Sequence, residues 1–132
     1  MVSLAASDTA TVELSITGLR STKGLVHLCM TANPALLNKC DKDPAARKLS
    51  LPATKAGKIE LTGLAPATYA IALLHDENGN SKMDTTLGMP REGFAFSRNP
   101  KIRFGPPKFA DASFRAEAGV TTQQSITFKY ML

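Results

Sequence analysis

The densest set of chemistry-bearing side chains in this 132-residue chain is His75-Asp76-Glu77-Asn78-Gly79-Asn80-Ser81-Lys82-Met83-Asp84. Asp76, Asn78, Asn80 and Asp84 fall at positions 1, 3, 5 and 9 of a calcium-loop frame, with the Lys82 carbonyl at position 7. Carboxylate, amide and carbonyl oxygens are hard ligands, so calcium is the ion such a set would prefer. Soft ligands are absent from the segment, which gives zinc or copper less chemical justification. Two departures weaken the frame: Ser81 replaces the glycine of position 6, and Leu87 replaces the bidentate glutamate of position 12. A polar turn held by its own Asx hydrogen bonds, with Asn78-Gly79 supplying positive φ, explains the same residues. Both readings stand at the level of sequence.

A second constellation is aromatic and basic. Phe94, Phe96, Phe104, Phe109 and Phe114 alternate with Arg91, Arg98, Lys101, Arg103 and Lys108. Aromatic faces with cationic edges can bind anionic polymers. A segment rich in glycine and proline also needs aromatic anchors, and anchoring is the favoured reading. The residues expected to face a ligand or partner are His75, Arg91, Glu92, Phe94, Phe96 and Arg98. Nucleic acid is disfavoured: there is no dedicated motif, and the net charge of +5 is modest.

Catalytic patterns are scarce. His75 adjoins Asp76, yet neighbours on a strand point to opposite faces, which argues against a side-chain pair. His27 reads as an ordinary histidine at the surface or core edge. No GxSxG, HExxH or phosphate-binding loop occurs. The expectation is a non-catalytic binding or structural module with no catalytic residues and no cofactor other than calcium. The enzyme alternative is a small hydrolase using His75 with Asp84 or Glu92.

Cys29 and Cys40 are the only cysteines. A disulfide between them would close a short loop and stabilise the fold by about 3 kcal/mol, but it requires an oxidising compartment. Two reduced thiols are the competing reading, and zinc ligation lacks a motif-linked fourth ligand beside His27.

The elements that must position these groups read as strands. Residues 11–17 alternate strictly, with Val12, Leu14 and Ile16 on one face. Residues 24–30 place Val26, Leu28 and Met30 on one side, with His27 and Cys29 on the other. Residues 33–46 read as loop with at most one helical turn. Residues 48–52 read as an edge strand, since Pro52 cannot donate to a ladder, and residues 58–62 as a half-buried strand. Thr68 to His75 is nearly continuous in apolar residues, as a central strand covered on both faces requires. Residues 111–117 suggest a brief strand or a turn of helix, and 122–130 a closing strand. The pattern predicts an all-β sandwich and excludes helical bundles and Rossmann folds.

The length suits one domain, here residues 10–132, with a flexible leader over 1–9 and a long ordered loop over 76–108. Hydrophobic residues make up 43% of the chain, many of them alanine, which predicts a thin core. No run of about 20 apolar residues is long enough to span a membrane. The opening MVSLAASDTA lacks the basic start and apolar stretch of a signal peptide.

Gly63-Leu64-Ala65-Pro66-Ala67-Thr68-Tyr69-Ala70, His75 to Asp84, and Leu87-Gly88-Met89-Pro90-Arg91-Glu92-Gly93-Phe94-Ala95-Phe96-Ser97 together resemble the bacterial DUF2141 family. Phe104-Gly105-Pro106-Pro107-Lys108-Phe109 and the last strand with Tyr130 agree. The resemblance implies a single Greek-key β-sandwich of transthyretin or carboxypeptidase-regulatory-domain shape. It also implies export to the periplasm or beyond, with the native signal outside this sequence, which strengthens the Cys29–Cys40 disulfide. The family pattern singles out His75, Asp76, Asn78, Asn80, Lys82, Asp84, Gly88, Pro90, Glu92, Gly93, Phe94 and Ser97 without assigning a reaction. Ser81 and Ala95 stand where the family often has glycine, which puts backbone-dependent ion coordination in doubt. The partner expected is an envelope protein or a small ligand.

Overall fold

The computed structural model describes residues 8–79, 85–86, 89–90, 92–101 and 107–130. Strands dominate and form two principal sheets. The first has three strands in the order β10-β1-β4: Thr121–Thr127, Ala10–Thr17 and Lys58–Leu64. The second runs β3-β2-β5-β8: Arg47–Pro52, Leu25–Thr31, Ala67–Asp76 and Gly93–Phe96. Strand β9, Phe114–Ala116, joins it by pairing with the start of β5. A two-stranded hairpin, β6 at Thr85–Thr86 and β7 at Met89–Pro90, lies apart from both.

The alternation in the sequence becomes the inner and outer faces of each sheet. In β1, Val12, Leu14 and Ile16 are buried while Ser15 and Thr17 are exposed. They join Val26, Leu28 and Met30 of β2, Ile59 and Leu61 of β4, Ile71 and Leu73 of β5, and Ile126 of β10 in one core between the sheets. Burying such aliphatic side chains contributes roughly 1.5–3 kcal/mol each. The pairing of β1 with β10 is parallel over seven residues, from Thr11↔Thr121 to Thr17↔Thr127. Strand composition carries no sign of this, because parallel and antiparallel partners present the same alternation.

Strand β5 is covered on its outer face as well. Leu37, Ala70 and Ala112 form a smaller cluster with Ala72, Phe96 and Phe109 against it. Leu37 belongs to the 3-10 helix Leu37–Lys42, and Ala112 to α1, the short helix Phe109–Ala112. The expected choice between strand and helix over 111–117 resolves into both, the end of α1 followed by β9. Cys29 and Cys40 are joined in a disulfide that ties this 3-10 helix to β2. Pro52 ends β3, which has no described partner on its other side, so its missing N–H costs no ladder bond.

Candidate functional site

Two networks meet around the last residues of β5, one on each face. Val26 pairs with His75 and Leu25 with Asp76, so the two consecutive residues leave the strand in opposite directions.

His75 points inward and is fully buried. Its Nε2 donates to the Lys23 carbonyl at 2.9 Å, and its Nδ1 lies 2.6 Å from the Tyr130 hydroxyl. With Nε2 committed to a carbonyl, Nδ1 of the neutral ring accepts from the tyrosine. Tyr130 in turn accepts the Arg20 backbone N–H at 3.1 Å, and the Arg20 guanidinium lies 4.5 Å from the centre of its ring. Arg20 also donates to Glu77 Oε1 at 2.7 Å, while Ser21 Oγ donates to Glu77 Oε2 at 2.7 Å. The Arg20 and Ser21 donors hold the Glu77 carboxyl below its ordinary range, and burial pushes the Tyr130 phenol up. The Cβ of any residue replacing Gly93 would lie 2.4 Å from the Tyr130 ring, so the ring needs glycine there. This network closes the end of the sandwich, and His75 is a closure residue, not the surface residue expected. Strand alternation turns it inward, where it is fully buried against Tyr130 and the Lys23 carbonyl.

The outer face carries different chemistry. Asp76 is fully buried, and its Oδ2 accepts from His27 Nε2 at 2.9 Å. The other ring nitrogen, Nδ1, lies 2.7 Å from Ser50 Oγ. A carboxylate only accepts, so Nε2 carries the ring proton and Nδ1 of the neutral imidazole accepts from the serine hydroxyl. His27 faces Ser50 directly across β2 and β3, and it faces Leu74 across β2 and β5. Asp76 is therefore its diagonal neighbour, at the distance long side chains bridge. Exposure grades outward from the fully buried carboxylate through the imidazole, 23% exposed, to the exposed serine.

Ser50 and His27 line a cleft of about 580 Å³ together with Asn38, Asp41, Lys48, Leu49 and Leu74. Asn38 and Asp41 stand on the 3-10 helix fixed by the disulfide, and Lys48 Nζ donates to the Asp41 carbonyl at 2.9 Å. The cleft wall is thus cross-linked to its floor twice.

The other expected site residues fall elsewhere. Glu92 and Phe94 are buried and Phe96 is half-buried, so they do not form the exposed surface expected; they pack because β8 adds to β5 antiparallel, with Leu74↔Phe94 and His75↔Gly93. Phe114 is buried too, in keeping with aromatics as anchors. Arg98 is exposed, with Nη1 at 3.4 Å from the Ala110 and Ser113 carbonyls. Ser97 is buried and satisfied: its Oγ accepts from the Ile71 N–H at 3.0 Å and donates to the Ala112 carbonyl. Of the calcium frame, Asp76 is bonded to His27 and Asn78 follows β5, while Asn80, Lys82 and Asp84 lie outside the described residues, as does Arg91. Among the described residues no group of three or more His, Cys, Asp or Glu is placed to hold a metal ion.

The Ser50–His27–Asp76 chain escaped the sequence reading. His27 and Ser50 are 23 positions apart, and His27 and Asp76 are 49 apart. The one local signal was the outward alternation of His27 with Cys29.

A sequence model of the family described as "Uncharacterized protein conserved in bacteria (DUF2141)" matches residues 14–124. The chain belongs to this family. No curated protein and no solved structure matches it. The matched span includes His27, Ser50, Asp76 and both cysteines, so the cleft lies within the family region. Several positions of the family pattern have architectural roles here: His75 and Gly93 seat Tyr130, and Ser97 ties β5 to α1.

Proposed function

We propose that this family member is an exported binding module whose ligand, a small molecule or an exposed group of an envelope protein, occupies the cleft on the outer face of the five-stranded sheet. The observation that carries the reading is the preorganisation of that cleft. Its floor places an imidazole and a hydroxyl oriented by a buried carboxylate, and its wall is held by the Cys29–Cys40 disulfide. Concave sites with a few fixed polar groups beside apolar side chains are where small ligands bind, and Leu74, opposite His27, supplies the apolar part. Export is supported by the disulfide, since such bonds persist in oxidising compartments. Among the described residues no helix is long and apolar enough to cross a membrane.

The test is a fragment library screened by NMR on isotopically labelled protein. Binders should perturb the amides of Asn38, Asp41, Lys48 and Ser50, and Leu74→Trp, which fills the cleft, should abolish the shifts. Shifts concentrated instead around Glu13, Glu60 and Gln123, which line a separate cavity of about 360 Å³ on the other sheet, would move the site there.

A further inference from the structure

The outer cleft contains more than a binding floor. We propose that Ser50 is a nucleophile activated by His27 and that the cleft hydrolyses small carboxylic esters. This goes beyond the binding reading, on which it rests only in placing the ligand in the same cleft.

Three features support the assignment. The first is the relay itself: serine hydroxyl to imidazole at 2.7 Å and imidazole to buried carboxylate at 2.9 Å. A general base within hydrogen-bond reach of the nucleophile, oriented by a third group, is the arrangement that activates serine. The ring nitrogens exchange places relative to serine proteases, with Nδ1 toward serine and Nε2 toward aspartate. The proton bookkeeping is unchanged, because the two nitrogens are conjugated through one ring.

The second feature is the phase of the β2–β3 ladder. The Ala53 N–H donates to the Gly24 carbonyl at 3.0 Å, and this pair continues the antiparallel register Leu25↔Pro52. Hydrogen-bonded and non-hydrogen-bonded pairs alternate along such a ladder, so His27↔Ser50 is a non-hydrogen-bonded pair. That phase brings the two side chains closest. It also turns the Ser50 backbone N–H away from β2, toward the side where no described strand pairs with β3. The amide of the nucleophile itself is thereby free of the ladder, a donor for the oxyanion that forms on attack.

The third feature is access. Ser50 is exposed and opens into the 580 Å³ cleft, with Leu74 available to an acyl chain and the Lys48 side chain on the same face as Ser50.

The reaction balances with water as the only co-reactant. Ser50 Oγ attacks the ester carbonyl carbon while its proton passes to His27 Nδ1. The bond from the carbonyl carbon to the alcohol oxygen breaks, and that oxygen takes the proton from Nδ1 and leaves as the alcohol. Water then attacks the acyl-serine carbon and gives a proton to Nδ1. The proton returns to Ser50 Oγ as the carboxylic acid departs. Asp76 touches no reacting atom; it is a positioning residue that holds the Nε2–H tautomer and balances the imidazolium.

The test uses the full, oxidised chain and a small fluorophosphonate, which phosphonylates an activated serine with loss of fluoride. Peptide mapping should place the adduct on Ser50 and show it forming at least tenfold faster than on the exposed Ser15. Ser50→Ala should abolish it, and His27→Gln should slow it at least tenfold. Wild-type labelling should fall as the pH is lowered, because a protonated His27 cannot accept the serine proton, and this dependence should be lost in His27→Gln. The charged or titratable groups facing His27 are Asp76 from β5, buried and bonded to it, and Lys48 from β3 and Asp41 from the 3-10 helix, which line the cleft with it. Turnover of p-nitrophenyl acetate should follow the same order across the variants. Labelling of Ser50 no faster than of Ser15, or unchanged in His27→Gln, overturns the proposal. Fragment binding that persists in the cleft alongside that outcome leaves the binding reading intact. Loss of both in the wild type removes both.

Discussion

Asp43 and Glu77 show how single carboxylates tie loops to the sandwich and set its response to acid. Thr31 Oγ1 and the Ala45 N–H donate to Asp43, and both bonds hold its carboxyl below the ordinary range. Arg20 and then Ser21 do the same for Glu77. A carboxyl depressed in the folded state contributes stability that is fully present above its unfolded value, near pH 4, and is lost as the pH falls through the folded value. Asp43→Asn and Glu77→Gln should therefore each reduce the drop in melting temperature between about pH 5 and pH 2, with little change in that slope above pH 5. A calorimetric series over pH measures it, and an unchanged acid slope in both variants would show that these bonds are not the source. Gly24 makes a separate residue-scale case. Its φ is +70°, and an added Cβ would lie 2.0 Å from the Asp76 carbonyl oxygen. Gly24→Ala should cost about 2 kcal/mol or more by chemical denaturation, since both the backbone conformation and the space exclude a side chain.

At the scale of elements, the disulfide and strand β5 have the largest consequences. Cys29 and Cys40 are separated by 11 positions, and cross-linking a loop of that size stabilises a fold by about 3 kcal/mol in the chain-entropy account. Reduction should lower stability by about that amount in urea titration. It should also loosen the cleft wall at Asn38 and Asp41, read as faster amide exchange there than in β1. Ile71 is fully buried at the centre of β5, and Ile71→Ala should cost roughly 2–5 kcal/mol through lost transfer energy and the remaining cavity. Strand β5 also decides which chemistry faces where. Its alternation sends His75 into the closure at Tyr130 and Asp76 to the relay with His27.

For the molecule as a whole, calcium is the open link between sequence and structure. The 76–84 frame asks Asp76 to supply its first oxygen, yet Asp76 Oδ2 already accepts from His27 within a fully buried pocket. Breaking that bond to admit an ion would leave the imidazole without its carboxylate, a cost that calcium coordination must offset. Thermal midpoints in EDTA, in millimolar calcium and in millimolar magnesium should therefore coincide within about a degree, since a ligand that does not bind adds no stability. A calcium-specific rise that disappears in Asp76→Asn/Asp84→Asn would establish the ion site and displace this expectation.

The alternation of Val12, Leu14 and Ile16, the continuous apolar run of β5 and the edge position of Pro52 made the β-sandwich legible from sequence. Each is a local property: the two-residue period of a half-buried strand, the loss of that period in a strand covered on both faces, and the missing N–H of proline. The family was legible for a related reason, since its block from Gly63 to Ser97 is contiguous in the chain. That block drew attention to His75 and Gly93, which seat Tyr130 at the end of the sandwich, and to Ser97, which ties β5 to α1. The relay was not legible. Ser50, His27 and Asp76 come from three strands, and their meeting depends on the register of β2 against both β3 and β5. A slip of one residue in either pairing would move a partner to the opposite face. Sequence alone determined which residues could face outward, and the tertiary structure decided which of them touch, because register is fixed by the packing of the whole core and by no single segment.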